Sequence, residues 1–156
     1  MTAPTYAVEL TGVSWGPKGR PDILADISFA VPQGQIMAIC GDGGFMMNSQ
    51  EMETAVRLGL NLTVLILNDS SYGMIRWKQA NMGFDDWGLT YGNPDFVKYA
   101  ESYGAFGHRV ESAAHLKELL QHTLNTPGVH LIECPVDYTE NDQILNKDIK
   151  ALSQQV

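Results

Sequence analysis

The chain has 156 residues, enough for one domain, with 44% hydrophobic residues and a formal net charge of −8. That balance argues against nonspecific binding of DNA or RNA, which depends on basic groups displacing counterions. No stretch approaches the roughly 20 apolar residues of a membrane span. Lys18 and Arg20 nearly offset Glu9, Asp22 and Asp26 in the first 40 residues, so most of the negative charge lies beyond them. An anionic ligand there needs backbone amides, a helix end or a metal ion. The start, MTAPTYAVEL, has no basic flank before an apolar run, so no secretory signal is expected. Cys40 and Cys134 sit in apolar runs and read as reduced core thiols of a cytoplasmic protein.

In chain order, residues 6–16 and 22–31 read as short strands, and Pro32-Gln33-Gly34-Gln35 as the turn after them. Gln35 to Cys40 resembles a strand buried on both faces. Beyond the glycines of CGDGGFMMNSQEMETA a helix is expected, capped by Asn48 or Ser49, with Met52, Ala55 and Val56 as its apolar face. Leu62 to Leu67 is the next buried strand, stopped by Asn68-Asp69-Ser70-Ser71. Residues 72–92 have no steady period and read as a long loop with a helical turn near Met74 to Gln79. Asn93-Pro94-Asp95 reads as a helix start, with Asn93 as the cap and Pro94 first in the helix. A strand over 106–110, a helix over 113–124 capped by Ser112, and a strand over 129–134 complete the pattern. A short helix is expected around Ile144 to Ala151.

This alternation predicts an α/β fold with a mostly parallel sheet and flanking helices. Ligands of such sheets sit outside the carboxyl ends of the strands. Gly41-Asp42-Gly43-Gly44 and Asn68-Asp69-Ser70 both follow directly on predicted strands. If those ends are neighbours, Asp42 offers a carboxylate, Asn68 an amide oxygen and Ser70 a carbonyl. That is an oxygen set suited to Mg²⁺, whose remaining ligands are commonly phosphate oxygens. Gly43 and Gly44 let a phosphate approach the backbone closely. Each piece is also ordinary turn chemistry, so residue chemistry alone leaves both readings open.

GDG, a helix, and an apolar strand ending in Asn68-Asp69 together resemble the diphosphate signature of thiamine-diphosphate enzymes. Residues GDGGFMMNSQEMETAVRLGLNLTVLILNDSSYGMIRWKQ and NPDFVKYAESYGA are similar to the carboxyl-terminal domain of acetolactate synthases. The resemblance runs from about 35 to 149, about three quarters of the chain. It implies thiamine diphosphate and Mg²⁺ as cofactors, with Asp42, Asn68 and the Ser70 carbonyl as metal ligands. By the same likeness Gly43, Gly44, Tyr72 and Gly73 hold the diphosphate, and Met74 and Trp77 flank a substrate pocket. The family reaction condenses two pyruvates to 2-acetolactate and carbon dioxide.

In that family a separate pyrimidine-binding domain supplies the activating glutamate across a subunit interface. No catalytic residue is therefore assigned within these 156 residues. The expectation is cofactor binding with little turnover, and a homo-oligomer or partner subunit to complete the site.

Residues 6–39 instead resemble the first strands of an ABC-transporter ATP-binding domain, where an aromatic such as Trp15 stacks on adenine. The phosphate loop GxxGxGK[ST] does not follow, because Phe45 to Asn48 replace its lysine and hydroxyl, so ATP hydrolysis is not expected. The chain thus reads as a chimera, a β-hairpin-like extension over 1–34 before a partial thiamine-diphosphate-binding domain over 35–156. The rival readings are an inert α/β domain and a nucleotide-binding fragment. The four histidines are scattered and form no metal set. Trp77, Phe84, Trp87 and Tyr91 crowd the central loop, where in an intact enzyme they pack over substrate and against a partner subunit; without the partner they expose apolar surface, and self-association is expected.

Overall fold

The computed structural model describes residues 5–15 and 24–139. Strands β1 (Tyr6–Trp15) and β2 (Leu24–Pro32) pair antiparallel as a two-stranded sheet of their own. After a turn in which Gln35 N–H donates to the Pro32 carbonyl, the chain enters β3 (Ile36–Gly41), α1 (Asp42–Met47) and α2 (Glu51–Arg57). Next come β4 (Leu62–Asn68), α3 (Gly73–Asn81) and α4 (Phe96–Ser102), then β5 (Phe106–Arg109), α5 (Ala113–Leu124) and β6 (Val129–Pro135). The last four strands form one parallel sheet in the order β3-β4-β6-β5, the α/β architecture expected. The expected helix near Ile144 lies outside the described residues, and no described helix is long and apolar enough to cross a membrane.

β4 and β6 are apolar along nearly their whole length because both faces are covered. On one face Val64, Ile66, Val129 and Leu131 pack against Met52 and Ala55 of α2 and Phe96 and Ala100 of α4. On the other, Leu65, Ile132 and Cys134 meet Leu116, Leu119 and Leu120 of α5. Cys40 and Cys134 are free thiols. α4 crosses β5 so closely that a Cβ on Gly107 would stand 2.5 Å from the Val97 carbonyl oxygen.

Helix starts differ from expectation in two places. The glycine segment is itself helical: Gly41 is extended, Asp42 opens α1, and Asn48 closes that helix instead of capping the next. Asp95, not Asn93, caps α4, accepting from the Val97 and Lys98 N–H groups at 3.1 and 3.3 Å. Asn93 is drawn away by stronger partners, described below. Ser112 caps α5 as expected, its hydroxyl accepting from His115 N–H at 3.1 Å. Ser112→Ala is expected to cost about 1 kcal/mol and to lower the thermal midpoint by a few degrees; an unchanged midpoint contradicts that role.

The histidines are not scattered in space. His130, 1% exposed, stacks between Phe106 and His108, with centroids 4.9 and 5.5 Å away, and His122 stands edge-on to both histidines. His130 Nε2 lies 3.2 Å from the Thr126 carbonyl, so that nitrogen carries the proton and Nδ1 accepts from His108 Nε2 at 3.2 Å. No cluster suited to a metal exists among the described residues. Burial, followed by the neighbouring histidines, holds His108 below its ordinary 6.5, and burial also lowers His130 against the opposing pull of the Thr126 carbonyl. With folded values depressed, the unfolded chain binds more protons below pH 6.5. The histidine contribution to stability is therefore complete above pH 6.5 and declines as pH falls below it. Urea midpoints at pH 7.5 and 5.0 should show this loss, and His130→Gln should reduce it; an equal loss in both chains contradicts the assignment.

Candidate functional site

The register of the sheet sets Gly41 of β3 opposite Leu67 of β4, so the residues just beyond these strands emerge side by side. Asp42 begins α1 and is 1% exposed. Its Oδ2 accepts from the Asn93 amide nitrogen at 2.6 Å, and the same nitrogen lies 2.9 Å from Asn68 Oδ1. The carboxylate and the amide oxygen thus converge on a single atom at the carboxyl end of the sheet.

The orientation of Asn68 is set from β6. Its Nδ2 donates to Glu133 Oε1 at 2.8 Å, which leaves Oδ1 facing Asp42. Glu133 is 6% exposed, and its other oxygen accepts from Arg109 Nε at 2.8 Å. Arg109 also reaches the cap of α4, with Nη2 3.6 Å from Asp95 Oδ1. Buried carboxylates persist where such donors satisfy them.

Ser70 has φ +53° and closes a tight turn, its N–H donating to Asn68 Oδ1 at 3.0 Å. Its carbonyl accepts from Tyr91 N–H at 3.3 Å, one of the bonds that lay residues 89–91 along 70–72. This strap carries Tyr91 and Asn93 into the site. A Cβ on Gly43 would stand 2.6 Å from the Tyr91 hydroxyl and 2.7 Å from Tyr72 Cε1, so only glycine fits beneath that pair of rings. Burial, followed by the charge of Asp42, pushes the Tyr91 hydroxyl well above its ordinary value, which keeps it protonated as a donor.

An open cavity of about 950 Å³ lies over this floor. Asp42, Gly43, Gly44, Tyr72, Gly73 and Met74 line it, and Trp77 lies farther along the same wall. Asn68 and Ser70 are not lining residues; their neighbours Asp69 and Ser71 are, so the turn presents alternate residues to the space. The expected site residues therefore meet, five on the wall and two behind it, with Met74 and Trp77 beside them. The helical turn expected near Met74 to Gln79 is a longer helix, α3, over residues 73–81, and it holds both Met74 and Trp77. The sequence reading missed Glu133 and Arg109, gave Asn93 only as a helix cap, and placed Tyr91 over substrate or a partner and not against Asp42. A signal existed for Glu133, a carboxylate within the apolar run LIECP.

Asp42 and Asn68 present hard oxygen donors, and the buried Asn93 Oδ1 has no hydrogen-bond partner among the described residues. Such a set fits a small divalent cation and offers nothing to a soft one. The family described as thiamine pyrophosphate enzyme, C-terminal TPP binding domain, matches residues 23–134. The chain belongs to that family. The matched segment begins within the part that the sequence reading gave to the amino-terminal extension.

This TPP-binding-domain chain is 40% identical over 114 residues to the acetolactate synthase of Bacillus subtilis strain 168, covering 73% of this chain and 20% of that protein. Over 116 residues it is 36% identical to the catabolic acetolactate synthase of Raoultella terrigena, covering 74% and 21%. It thus spans about a fifth of the length of these curated relatives. The thiamine diphosphate-dependent 4-hydroxybenzoylformate decarboxylase of Rhodococcus jostii RHA1 superposes with a TM-score of 0.64 at 26% identity, over 68% of this chain and 20% of that one. Benzoylformate decarboxylase of Polynucleobacter necessarius, at 23% identity and a TM-score of 0.62, covers 65% and 19% and shares the fold.

Proposed function

We propose that this chain binds thiamine diphosphate through a Mg²⁺ ion held by Asp42, Asn68 and the Ser70 carbonyl, as the diphosphate-binding part of an acetolactate synthase-like enzyme. The observation that carries the reading is the meeting of Asp42 and Asn68 oxygens on the one Asn93 nitrogen. Membership of the TPP-binding family supports the cofactor, and the similarity to acetolactate synthases supports pyruvate as the substrate of the complete enzyme. Gly43, Gly44, Tyr72 and Gly73 would receive the diphosphate on the cavity wall, with Met74 and Trp77 beside the reacting end. When bound, the cofactor supplies the carbanion chemistry of decarboxylation and condensation; the chain's own residues neutralise and position its phosphates. Oligomer formation fits the same reading. Met74, Met82, Phe84 and Trp87 are all more than half exposed on α3 and the loop after it, an apolar surface that suits a partner subunit.

Calorimetric titration tests the proposal: thiamine diphosphate gives heat with Mg²⁺ and none without it, and ATP gives none. Equal heats with and without Mg²⁺, or none at all, overturn it. The 156-residue polypeptide is proposed to bind without turning over pyruvate, so 2-acetolactate formed by the pure chain would contradict that part.

A further inference from the structure

Resting on the proposed cation at Asp42 and Asn68, the geometry points to Asn93 as an additional side-chain ligand, one that changes from donor to oxygen ligand by a half-turn of its amide. The distances carry the argument. Around Mg²⁺, with bonds of about 2.1 Å, adjacent ligand oxygens stand about 3 Å apart. The Asn93 nitrogen lies 2.6 Å from Asp42 Oδ2 and 2.9 Å from Asn68 Oδ1. These are hydrogen-bond distances that also match that spacing, so an amide oxygen put in the place of this nitrogen would stand beside the Asp42 and Asn68 oxygens at the separation that a shared cation requires.

The other end of the same amide supplies the reason for a swap. Asn93 Oδ1 is buried without a hydrogen-bond partner, while Nδ2 serves both acceptors. Facing two oxygens and no cation, the amide keeps its N–H groups inward. With a cation beside Asp42, inward N–H groups are repelled, and the half-turn delivers the unpartnered oxygen. Asn68 itself stays in place, held from the opposite side by Glu133. The sequence reading placed Asn93 as a helix cap, a role Asp95 fills, which leaves its side chain available.

The test uses Mn²⁺ as the probe, with thiamine diphosphate present and the dissociation constant read by electron paramagnetic resonance. Asn93→Ala should weaken Mn²⁺ binding on the order of tenfold, while Asn93→Asp, which keeps an oxygen there, should bind at least as tightly as the parent. An N93A chain that binds equally well or better overturns the proposal, as does an N93D chain weakened like N93A. Asp42→Ala distinguishes this failure from failure of the site: if D42A binds Mn²⁺ like the parent, the cation is elsewhere and both readings fall. A measurement on the unmodified chain guards against misfolded variants. On adding Mg²⁺ with thiamine diphosphate, the side-chain amide protons of Asn93 should lose the downfield shift of protons bonded to the Asp42 carboxylate, read by ¹⁵N–¹H NMR. Amide protons that keep that shift in a chain that binds Mg²⁺ overturn the swap.

Discussion

An Asp42→Ala chain should lose Mg²⁺-dependent thiamine diphosphate binding by at least about 100-fold, more than the 10–100-fold typical of groups that merely support a metal ligand. Asp42 is the carboxylate of the proposed ligand set; Asn68 and Ser70 contribute neutral oxygens, and affinity for hard cations depends strongly on ligand charge. The neighbouring acidic cavity residue, Asp69, is engaged by the Ser71 hydroxyl at 3.1 Å and cannot simply replace it. The fold should survive, because removing a buried carboxylate also removes the cost of desolvating it. Asp42→Asn separates charge from shape, and the same loss is expected there. Far-UV circular dichroism and calorimetry on both variants check this, and a D42N chain that binds like the parent contradicts the cation's dependence on that charge.

The largest effect on stability should come from Gly107→Ala. The added methyl meets backbone atoms, Val97 O at 2.5 Å and Val97 Cα at 2.6 Å, and backbone cannot turn aside as a side chain can. Relief requires α4 to lift from β5, which also disturbs the packing of Phe96 and Ala100, both fully buried. Overpacking of this kind costs about 1–3 kcal/mol and at times more, a large share of a small domain's stability. Gly92→Ala, with open space around it, serves as the control and should stay within about 0.5 kcal/mol. Similar urea midpoints for the two variants would contradict the claimed contact.

What was legible in the sequence follows from which signals are local. β4 and β6 were visible because both their faces are buried, so most of their residues are apolar, the exceptions being Thr63 in β4 and His130 and Glu133 in β6. Asp42 and Asn68 stood out because each follows such a strand, and a parallel sheet brings strand ends together. Asn93 was misread because Asn-Pro has a strong local meaning as a helix start, whereas its actual partners lie 51 and 25 residues away. His115 and His122 share a helix face in the sequence, but His108 and His130 have no local relation, and the pairing of β5 with β6, with α5 packed over it, brings His108, His122 and His130 together. The early turn of α1 was hidden because three glycines suggest a loop, while the local backbone closes into a helix.

The rim of the larger sheet has a practical consequence. Among the described residues β3 is one of its two edge strands, with Ile36 and Ile39 more than half exposed and not buried on both faces as the sequence suggests. A bare rim of that kind templates addition of another strand, and nothing in β3 resembles the prolines or charges that usually guard one. Because β3 runs straight into Asp42, any strand that zips onto this border lies next to the cation's anchor. Concentrated stocks of the polypeptide should thus lose ligand affinity as they associate, and dilution should restore it.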